Sequence, residues 1–168
     1  LPHDVRVVES GEAPPGFHAR RSATMRVYRY YTVAAPVLLP HLRRYRHWVR
    51  RGLDLDRLRA MAGVIAGEHD FTSFTAEGDA NRARVRTVTE SRFDADGDTV
   101  VYTVAAGSFL WKMVRNIVGT ALWIEENGGG PAEIAAVLDA RSRAAAGPTA
   151  PAHGLFLEKV LYDEALGS

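Results

Sequence analysis

The sequence predicts an α+β fold in which an antiparallel β-sheet carries helices packed on one face. Short stretches rich in Val, Tyr and Thr alternate with segments whose apolar residues recur at helical spacing. An Asp-Gly pair between two of the strand-like stretches predicts a hairpin, so neighbouring strands should run antiparallel. With 168 residues, of which 46% are hydrophobic, the chain is long enough for one domain with a buried core.

The N-terminal third predicts two strands. Val5 to Glu9 is expected to form a short strand, and Ser10 to Gly16 a loop marked by Gly and Pro. Ala23 to Val33 predicts a longer strand with two unlike faces. One of these faces is polar and aromatic, which suits a ligand-binding surface and equally suits a solvent-facing strand; it carries Thr24, Arg26, Tyr28, Tyr30 and Thr32.

The middle of the chain predicts a helix followed by a hairpin. Asp54 is a good N-cap for a helix that ends at Gly67. Val85 to Phe93 and Thr99 to Ala105 predict two strands, which a turn over Asp94 to Asp98 connects.

The last third predicts two helices and a strand. Ser108 is placed to cap a helix from Phe109 to Glu126, and three consecutive glycines stop it. Pro131 opens a further helix at the position that proline tolerates best. Leu155 to Tyr162 predicts the final strand.

Composition excludes several classes of protein. The chain has no cysteine, which rules out disulfides, thiolate metal sites and cysteine nucleophiles and is consistent with a reducing cytoplasm. No apolar run approaches the roughly 20 residues that cross a bilayer, and no signal-peptide pattern opens the chain. The first residue is Leu1 and not Met, which suggests a fragment or a processed chain.

The net charge of +1 hides an asymmetry along the chain. Residues 1–51 hold 10 Lys/Arg and 3 Asp/Glu, whereas residues 52–168 hold 11 and 17. A basic segment of this kind attracts phosphate polyanions, although a solvated arginine face gives the same pattern. The densest basic stretch, Leu42 to Gly52, interleaves arginine with Tyr45 and Trp48, so it could follow an RNA backbone or simply coat an edge.

Arg115 is the most informative single residue. It lies in the predicted helix Phe109 to Glu126, which is apolar nearly all round and should be mostly buried. A buried guanidinium needs a partner, and a carboxylate held by two hydrogen bonds is the natural one. This pair could be structural, the arginine could extend out at the helix edge, or it could belong to a functional site.

Arginine and tyrosine alternate around Tyr28 in a manner that suits a splayed-out base, because a ring can stack while a guanidinium meets phosphate. Ordinary strand propensity of tyrosine explains the same pattern. His18, in the basic loop before this strand, is a possible acid, base or phosphate contact, although a single loop histidine more often has no such role.

Other chemical motifs are missing. The six histidines show no metal-ligand spacing, and Gly128 to Gly130 lack the flanking strand and lysine of a phosphate-binding loop. The aspartates at 94, 96 and 98 begin like a calcium loop, but the required Gly and Glu do not follow. No serine lies in a nucleophile elbow.

Four motifs in order together resemble the TruA-type tRNA pseudouridine synthases. Phe17 to Tyr30 resembles the pattern FHARxSAxxRxYxY, and Gly67 to Phe74 resembles GxHDFxxF. Phe109 to Gly119 resembles FLxxMVRxIVG, and Pro151 to Leu157 resembles PxxGLxL. Each motif is modest alone, but the ordered set covers most of the chain and is specific.

The resemblance implies a pseudouridine-synthase-like second domain and isomerisation of uridine to pseudouridine in the tRNA anticodon stem-loop, with no cofactor and no metal. The enzyme must break the bond between ribose and N1, rotate the uracil and rejoin it through C5, so the uridine has to leave its stack. By this resemblance Arg115 and Tyr28 are the catalytic residues: Tyr28 stacks on the base and Arg115 pairs with a catalytic aspartate. The resemblance also implies a homodimer that binds tRNA across both subunits. The substrate-binding residues it implies are His18, Arg20, Arg26, Tyr28, Phe109 and Leu155.

One departure from the family pattern is plain. The motif GRTDxGVHA, which carries the catalytic aspartate, does not occur in the chain, and in the family it precedes a strand that resembles Leu1 to Val7. We therefore expect residues 1–16 to be a remnant of a first domain, residues 17–168 to form the C-terminal domain, and the chain alone to be inactive. The alternatives are a catalytically inactive RNA-binding module and a dimerisation domain of the same fold. The genomic sequence upstream of Leu1 would distinguish these two alternatives from a chain that is part of an enzyme.

Overall fold

The structure, a computed structural model, describes residues 1–162, which contain six β-strands and three α-helices. The strands are β1 (Ala23–Ala34), β2 (His47–Val49), β3 (Gly67–Asp70), β4 (Val85–Asp96), β5 (Thr99–Ala106) and β6 (Leu155–Tyr162). The helices are α1 (Leu55–Ile65), α2 (Met113–Glu126) and α3 (Pro131–Ala140). Over these residues no helix is both long enough and apolar enough to cross a membrane.

All six strands form one sheet centred on β1 and β5, in the order β2-β1-β5-β4-β3. Strand β1 pairs antiparallel with β5 along one edge, with Tyr30 opposite Tyr102. Its other edge is shared, because β6 pairs antiparallel with residues 23–30 and β2 pairs parallel with residues 32–34. Strands β6 and β2 therefore follow each other along the same edge of β1.

The helices cover one face of this sheet and form the core with it. Helix α1 packs on β4 and contacts α2 and α3. Strand residues such as Tyr30, Tyr102 and Val104 are buried beneath Met61 of α1 and Ile117 of α2. The predicted α+β class with helices on one face is confirmed, and the short parallel β1–β2 pair is the one departure from an antiparallel sheet within residues 1–162.

Local sequence signals account for the elements that were predicted correctly. The Asp54 carboxylate accepts the backbone N–H of Arg57 at 3.0 Å and so caps α1. The hairpin between β4 and β5 is confirmed, but its turn is only Gly97-Asp98 and not Asp94 to Asp98, because β4 continues to Asp96; Gly97 adopts a positive φ of 55° that suits a tight hairpin. Pro131 is the first residue of α3, as its fixed φ favours.

Two element predictions are wrong. Residues Val5 to Glu9 form no strand, since no other described strand pairs with them, and an isolated extended segment has no partner for its backbone groups. Helix α2 begins at Met113 and not at Phe109, because Lys112 takes a left-handed conformation with φ 60° and the N–H of Trp111 is bound by the Asp79 carboxylate.

Strands β2 and β3 were not predicted, since a strand of three or four residues has too few positions to show an alternating pattern. The polar face of β1 also differs from a solvent-facing strand. Tyr30 and Thr32 on that face are buried under the helices, and Tyr28 is half-buried.

Candidate active site

Arg115 lies in the first turns of α2 and is half-buried. Its Nε donates a hydrogen bond of 2.7 Å to the carbonyl of Ala150, and the N–H of Ala150 donates at 3.1 Å to the carbonyl of Arg115. Within residues 1–162 no carboxylate lies in salt-bridge range of this guanidinium. The carboxylate partner that its burial predicts is therefore not among the residues that the structure describes.

The segment that holds Arg115 is itself fixed by Tyr30. The Tyr30 hydroxyl donates a hydrogen bond of 2.8 Å to the carbonyl of Pro151, the residue after Ala150. Burial raises the pKa of the Tyr30 hydroxyl, and the nearby positive charge of Arg115 opposes that rise. Tyr30 thus stays protonated as a donor and is close enough to Arg115 for the two to interact electrostatically.

The segment of residues 147–151 packs closely on α2. Gly119 leaves room for its backbone, and Asn116 supplies hydrogen-bond partners. A side chain at Gly119 would place its Cβ 1.9 Å from the carbonyl oxygen of Pro148, so only glycine fits there. The buried Asn116 accepts a 2.6 Å hydrogen bond from the Thr149 hydroxyl and donates to the Phe74 carbonyl at 2.8 Å. These contacts determine where the Ala150 carbonyl lies.

Tyr28 lies on β1, two residues before Tyr30 and on the same face of the strand. Its ring meets that of Phe109 edge-on, with 5.0 Å between the ring centroids and 85° between the planes. Leu155, at the start of β6, pairs with Tyr30 and packs against the same core. Tyr28, Phe109 and Leu155 therefore line the side of the core that is continuous, through Tyr30, with Arg115.

A loop from Thr75 to Arg84 holds the segment that carries Phe109. The Asp79 carboxylate accepts the N–H of Trp111 at 3.0 Å and the Thr75 hydroxyl at 2.9 Å. The N–H of Ala76 donates to the Trp111 carbonyl at 2.9 Å. Hydrogen bonds from the N–H groups of Asn81 and Trp111 lower the pKa of Asp79 to about 2, so it is ionised at neutral pH.

His18 and Arg20 belong to a tight loop before β1. The Nδ1 of His18 accepts the N–H of Arg20 at 3.2 Å, which leaves the Nε2 edge of the ring free to carry the proton. His18, Arg20, Arg21, Arg26 and Ser108 line a hollow of about 680 Å³. Ser108 adjoins Phe109, so this hollow borders the Tyr28–Phe109 pair.

Arg26 has a structural set of contacts. Its guanidinium donates to the carbonyl oxygens of Ala23 (2.9 Å), Gly107 and Arg20. It therefore clamps the 17–22 loop to the segment that leads to Phe109.

The structure brings the predicted site residues into two adjoining groups. Arg115 and Leu155 lie beside Tyr30, and Tyr28 lies beside Phe109, while His18, Arg20 and Arg26 line the neighbouring hollow. Their roles in binding or catalysis stay predictions. Tyr30 was not among the predicted site residues. The available signal was that Tyr30 is the second tyrosine of the motif that contains Tyr28. The Ala150 carbonyl could not be predicted as a partner of Arg115, because every residue has a backbone carbonyl and the residue type does not distinguish one from another.

No group of three or more His, Asp or Glu side chains within residues 1–162 is arranged to hold a metal ion. The site is therefore built from a guanidinium, two tyrosines, an aromatic and apolar wall, and a basic loop. Such a set can bind a flat base beside a carboxylate or phosphate anion.

Comparison with known proteins identifies the family to which the chain belongs. The family model described as tRNA pseudouridine synthase matches residues 61–163. The tRNA pseudouridine synthase A of Treponema denticola is 39% identical over 166 residues, covering 99% of the chain and 62% of the relative. The corresponding proteins of Bdellovibrio bacteriovorus and Thermotoga maritima are 38% and 41% identical, and the chain covers 64% and 66% of their lengths.

The chain thus spans a little under two thirds of the length of these relatives while it matches them along nearly all of its own. The family match includes the helix of Arg115, the Asp79 loop and strand β6. The chain belongs to the tRNA pseudouridine synthase family.

Proposed function

We propose that this chain is the C-terminal part of a tRNA pseudouridine synthase that converts uridine to pseudouridine in the anticodon stem-loop. The observation that carries the proposal is Arg115, a half-buried guanidinium held by the Ala150 carbonyl with no carboxylate partner within residues 1–162. A guanidinium fixed through Nε keeps its two terminal nitrogens for a carboxylate. That carboxylate is the catalytic aspartate, supplied from outside the printed sequence.

In this mechanism the uridine leaves its stack and enters beside Tyr28. The Tyr28 ring, braced edge-on by Phe109, stacks on the uracil while Leu155 completes the apolar wall. The aspartate acts as the covalent or general-base group during cleavage of the N1 bond, and Arg115 orients it and stabilises its charge. Rejoining the uracil through C5 then releases the C5 hydrogen as a proton while N1 takes up a proton, so the reaction is an isomerisation and requires no redox step.

His18 and Arg20 hold the phosphates next to the flipped uridine, and Arg26 keeps their loop in place. We further propose a homodimer that binds one tRNA across both subunits, in the cytoplasm, and we assign residues 1–16 to the end of a first domain and 17–168 to the C-terminal domain. The division into domains is supported by the share of the relatives' length that the chain covers, whereas the homodimer and the location are what the family resemblance implies.

The test compares the chain alone with the chain joined, upstream of Leu1, to a segment that carries the family motif GRTDxGVHA. The substrate is a tRNA transcript carrying tritium at uridine C5, so that each isomerisation releases one label to water. We expect release only from the joined protein and a loss of at least ~100-fold on Arg115→Gln, since the aspartate then has no ionic partner.

Release by residues 1–168 alone would show that one of their own carboxylates performs the reaction. No release from a folded joined protein that still binds tRNA would favour the RNA-binding module. A joined protein that neither reacts nor binds tRNA would favour the dimerisation domain.

A further inference from the structure

A second basic hollow adjoins the candidate active site, at the point where β2 and β6 meet along the edge of β1. It is lined by Arg43, Arg44, Arg46, His47, Trp48 and His153 and has a volume of about 1080 Å³. The position follows from the register, because His47 opens β2 opposite Thr32 while Leu155 opens β6 opposite Tyr30. We refer to this feature as the edge hollow.

The arginines of the edge hollow carry uncompensated charge. No carboxylate lines the hollow, and within residues 1–162 neither Arg43, Arg44 nor Arg46 forms an ion pair. Seven other arginines within residues 1–162 do have acidic partners: Arg29, Arg51, Arg57, Arg59, Arg84, Arg92 and Arg141. Twelve of the nineteen arginines within residues 1–162 form no ion pair, and the three arginines of the edge hollow are among these twelve.

The edge hollow is also held in one shape before any ligand arrives. The guanidinium of Arg46 stacks over the Tyr31 ring at 4.1 Å from its centroid, and the Arg46 carbonyl contacts Nε2 of His153 at 3.0 Å. The Tyr45 ring packs on Phe156 with centroids 6.1 Å apart, and Nε1 of Trp48 donates to the Ala35 carbonyl at 2.8 Å. An anion therefore meets a prepared site, which reduces the ordering cost of binding.

We propose that the edge hollow binds phosphates of an RNA backbone, as a subsite separate from the hollow around His18. This inference rests on the proposed function, since it assigns a further contact to the same RNA. Arg43 and Arg44 are exposed and supply the phosphate contacts, while the indole of Trp48 and the exposed ring of Tyr45 provide aromatic surface beside them.

The location makes one continuous RNA path possible. The ring of His47 lies against that of Tyr30, with centroids 6.0 Å apart, and Tyr30 is next to Arg115. His153 is separated from Pro151, the Tyr30 partner, by a single residue. A nucleic acid whose target base lies beside Tyr28 can therefore extend across this edge of the sheet. Burial, together with His153, lowers the pKa of His47, so the arginines carry the charge at neutral pH.

The test measures binding of the full chain to a fluorescently labelled, unmodified tRNA transcript over a series of salt concentrations. The variant is Arg43→Gln with Arg44→Gln, which removes two exposed side chains and leaves the Arg46–Tyr31 stack intact. Its control is Arg6→Gln with Arg82→Gln, which removes the same charge from exposed positions outside the hollow, and neither of these arginines forms an ion pair within residues 1–162.

If each arginine neutralises one phosphate, each substitution lowers the slope of log affinity against log salt concentration by about 0.7 to 0.9. For the double variant this corresponds to a loss of ~25- to 60-fold in affinity at 0.1 M salt. The control variant should keep the slope of the unaltered chain. In the unaltered chain the indole N–H resonance of Trp48 should shift on addition of the transcript, and in the hollow variant this shift should be lost.

Equal slopes for the two double variants, or no measurable binding of the transcript by the unaltered chain, would overturn the proposal. Competition by poly-glutamate as strong as that by RNA at equal charge would also overturn it, because the hollow would then select acidic protein segments. None of these readouts requires turnover. A failure of the isomerase assay therefore does not decide whether the edge hollow binds RNA, and binding at the edge hollow does not decide whether the protein is an isomerase.

Discussion

Arg115 and Ala150 bind each other twice, through the guanidinium Nε to the Ala150 carbonyl at 2.7 Å and through the Ala150 N–H to the Arg115 carbonyl at 3.1 Å. Both bonds join α2 to the same residue of the segment before β6. The direction of the guanidinium is therefore set by backbone geometry and not by a side-chain partner. Any change that moves residues 148–151 should redirect Arg115.

Tyr30→Phe removes the hydroxyl that holds the Pro151 carbonyl while it keeps the buried ring. We expect a loss of about 1–2 kcal/mol in the free energy of unfolding, because a part-buried carbonyl loses its partner. Exchange of the Arg115 Nε–H with solvent, followed by NMR, should accelerate more than exchange of amides elsewhere in the core. Tyr31→Phe is the matched control, since that hydroxyl has no hydrogen bond within residues 1–162. Unchanged Nε–H exchange in Tyr30→Phe would show that Tyr30 does not position Arg115.

Gly119→Ala should destabilise the protein because its Cβ would fall 1.9 Å from the Pro148 oxygen and 2.7 Å from the Ala150 nitrogen, both of them backbone atoms. Relief of that overlap should cost about 1–3 kcal/mol, as measured by urea denaturation. Gly63→Ala is the control: it lies in α1 with nothing within 4 Å of the added methyl, and we expect a gain of about 0.5–1 kcal/mol. If both substitutions stabilise the protein, residues 147–151 are not packed against α2 as described.

Asp79 should contribute a distinct part of the acid sensitivity of the fold. Hydrogen bonds lower its folded pKa to about 2, while an unfolded aspartate titrates near ~3.9. Its stabilisation is therefore present above pH ~4 and is lost as the pH falls towards 2. Melting temperatures measured between pH 5 and 2.5 should fall less steeply for Asp79→Asn than for the unaltered chain. If the melting temperatures of the two proteins fall equally with pH, protonation of Asp79 is not coupled to folding.

Tyr28→Phe tests the candidate site in the protein joined to an aspartate-bearing segment. The Tyr28 hydroxyl has no hydrogen-bond partner within residues 1–162, so the melting temperature should change little. Tritium release should fall by ~100-fold or more if the hydroxyl takes part in proton transfer. Release at the unaltered rate would restrict Tyr28 to stacking, which the phenylalanine ring can also provide.

Much of this fold follows from patterns that extend over many residues. Strands β1, β4, β5 and β6 and helices α1 and α3 carry propensity, caps or a turn that identify them locally. The start of α2 was misplaced because Ser108 has the chemistry of a cap, whereas tertiary contacts of Trp111 with Asp79 delay the helix to Met113. Such a contact between distant segments has no signature in a single sequence.

The candidate site shows the same division between local and tertiary information. Arg115 and Tyr28 were identifiable because their side chains are unusual for their surroundings. The face of β1 was assigned ambiguously, since alternation separates Tyr30 from Tyr31 without indicating which side the helices cover. Arg26 was expected to bind substrate, and its contacts with three backbone carbonyls became visible only once the chain was folded.

The central position of β1 also bears on how the protein is synthesised. Strands β4 and β5 can pair as soon as they leave the ribosome, because two residues connect them, whereas β1 must wait for partners made much later. The hydrogen bond from Thr24 to Leu161 joins residues 137 positions apart, so the edge of β1 over residues 23–30 stays open until β6 has been translated. Tyr28 is therefore among the first of the site residues to be made, yet it is among the last to be enclosed. During that interval the open strand can pair with neighbouring nascent chains.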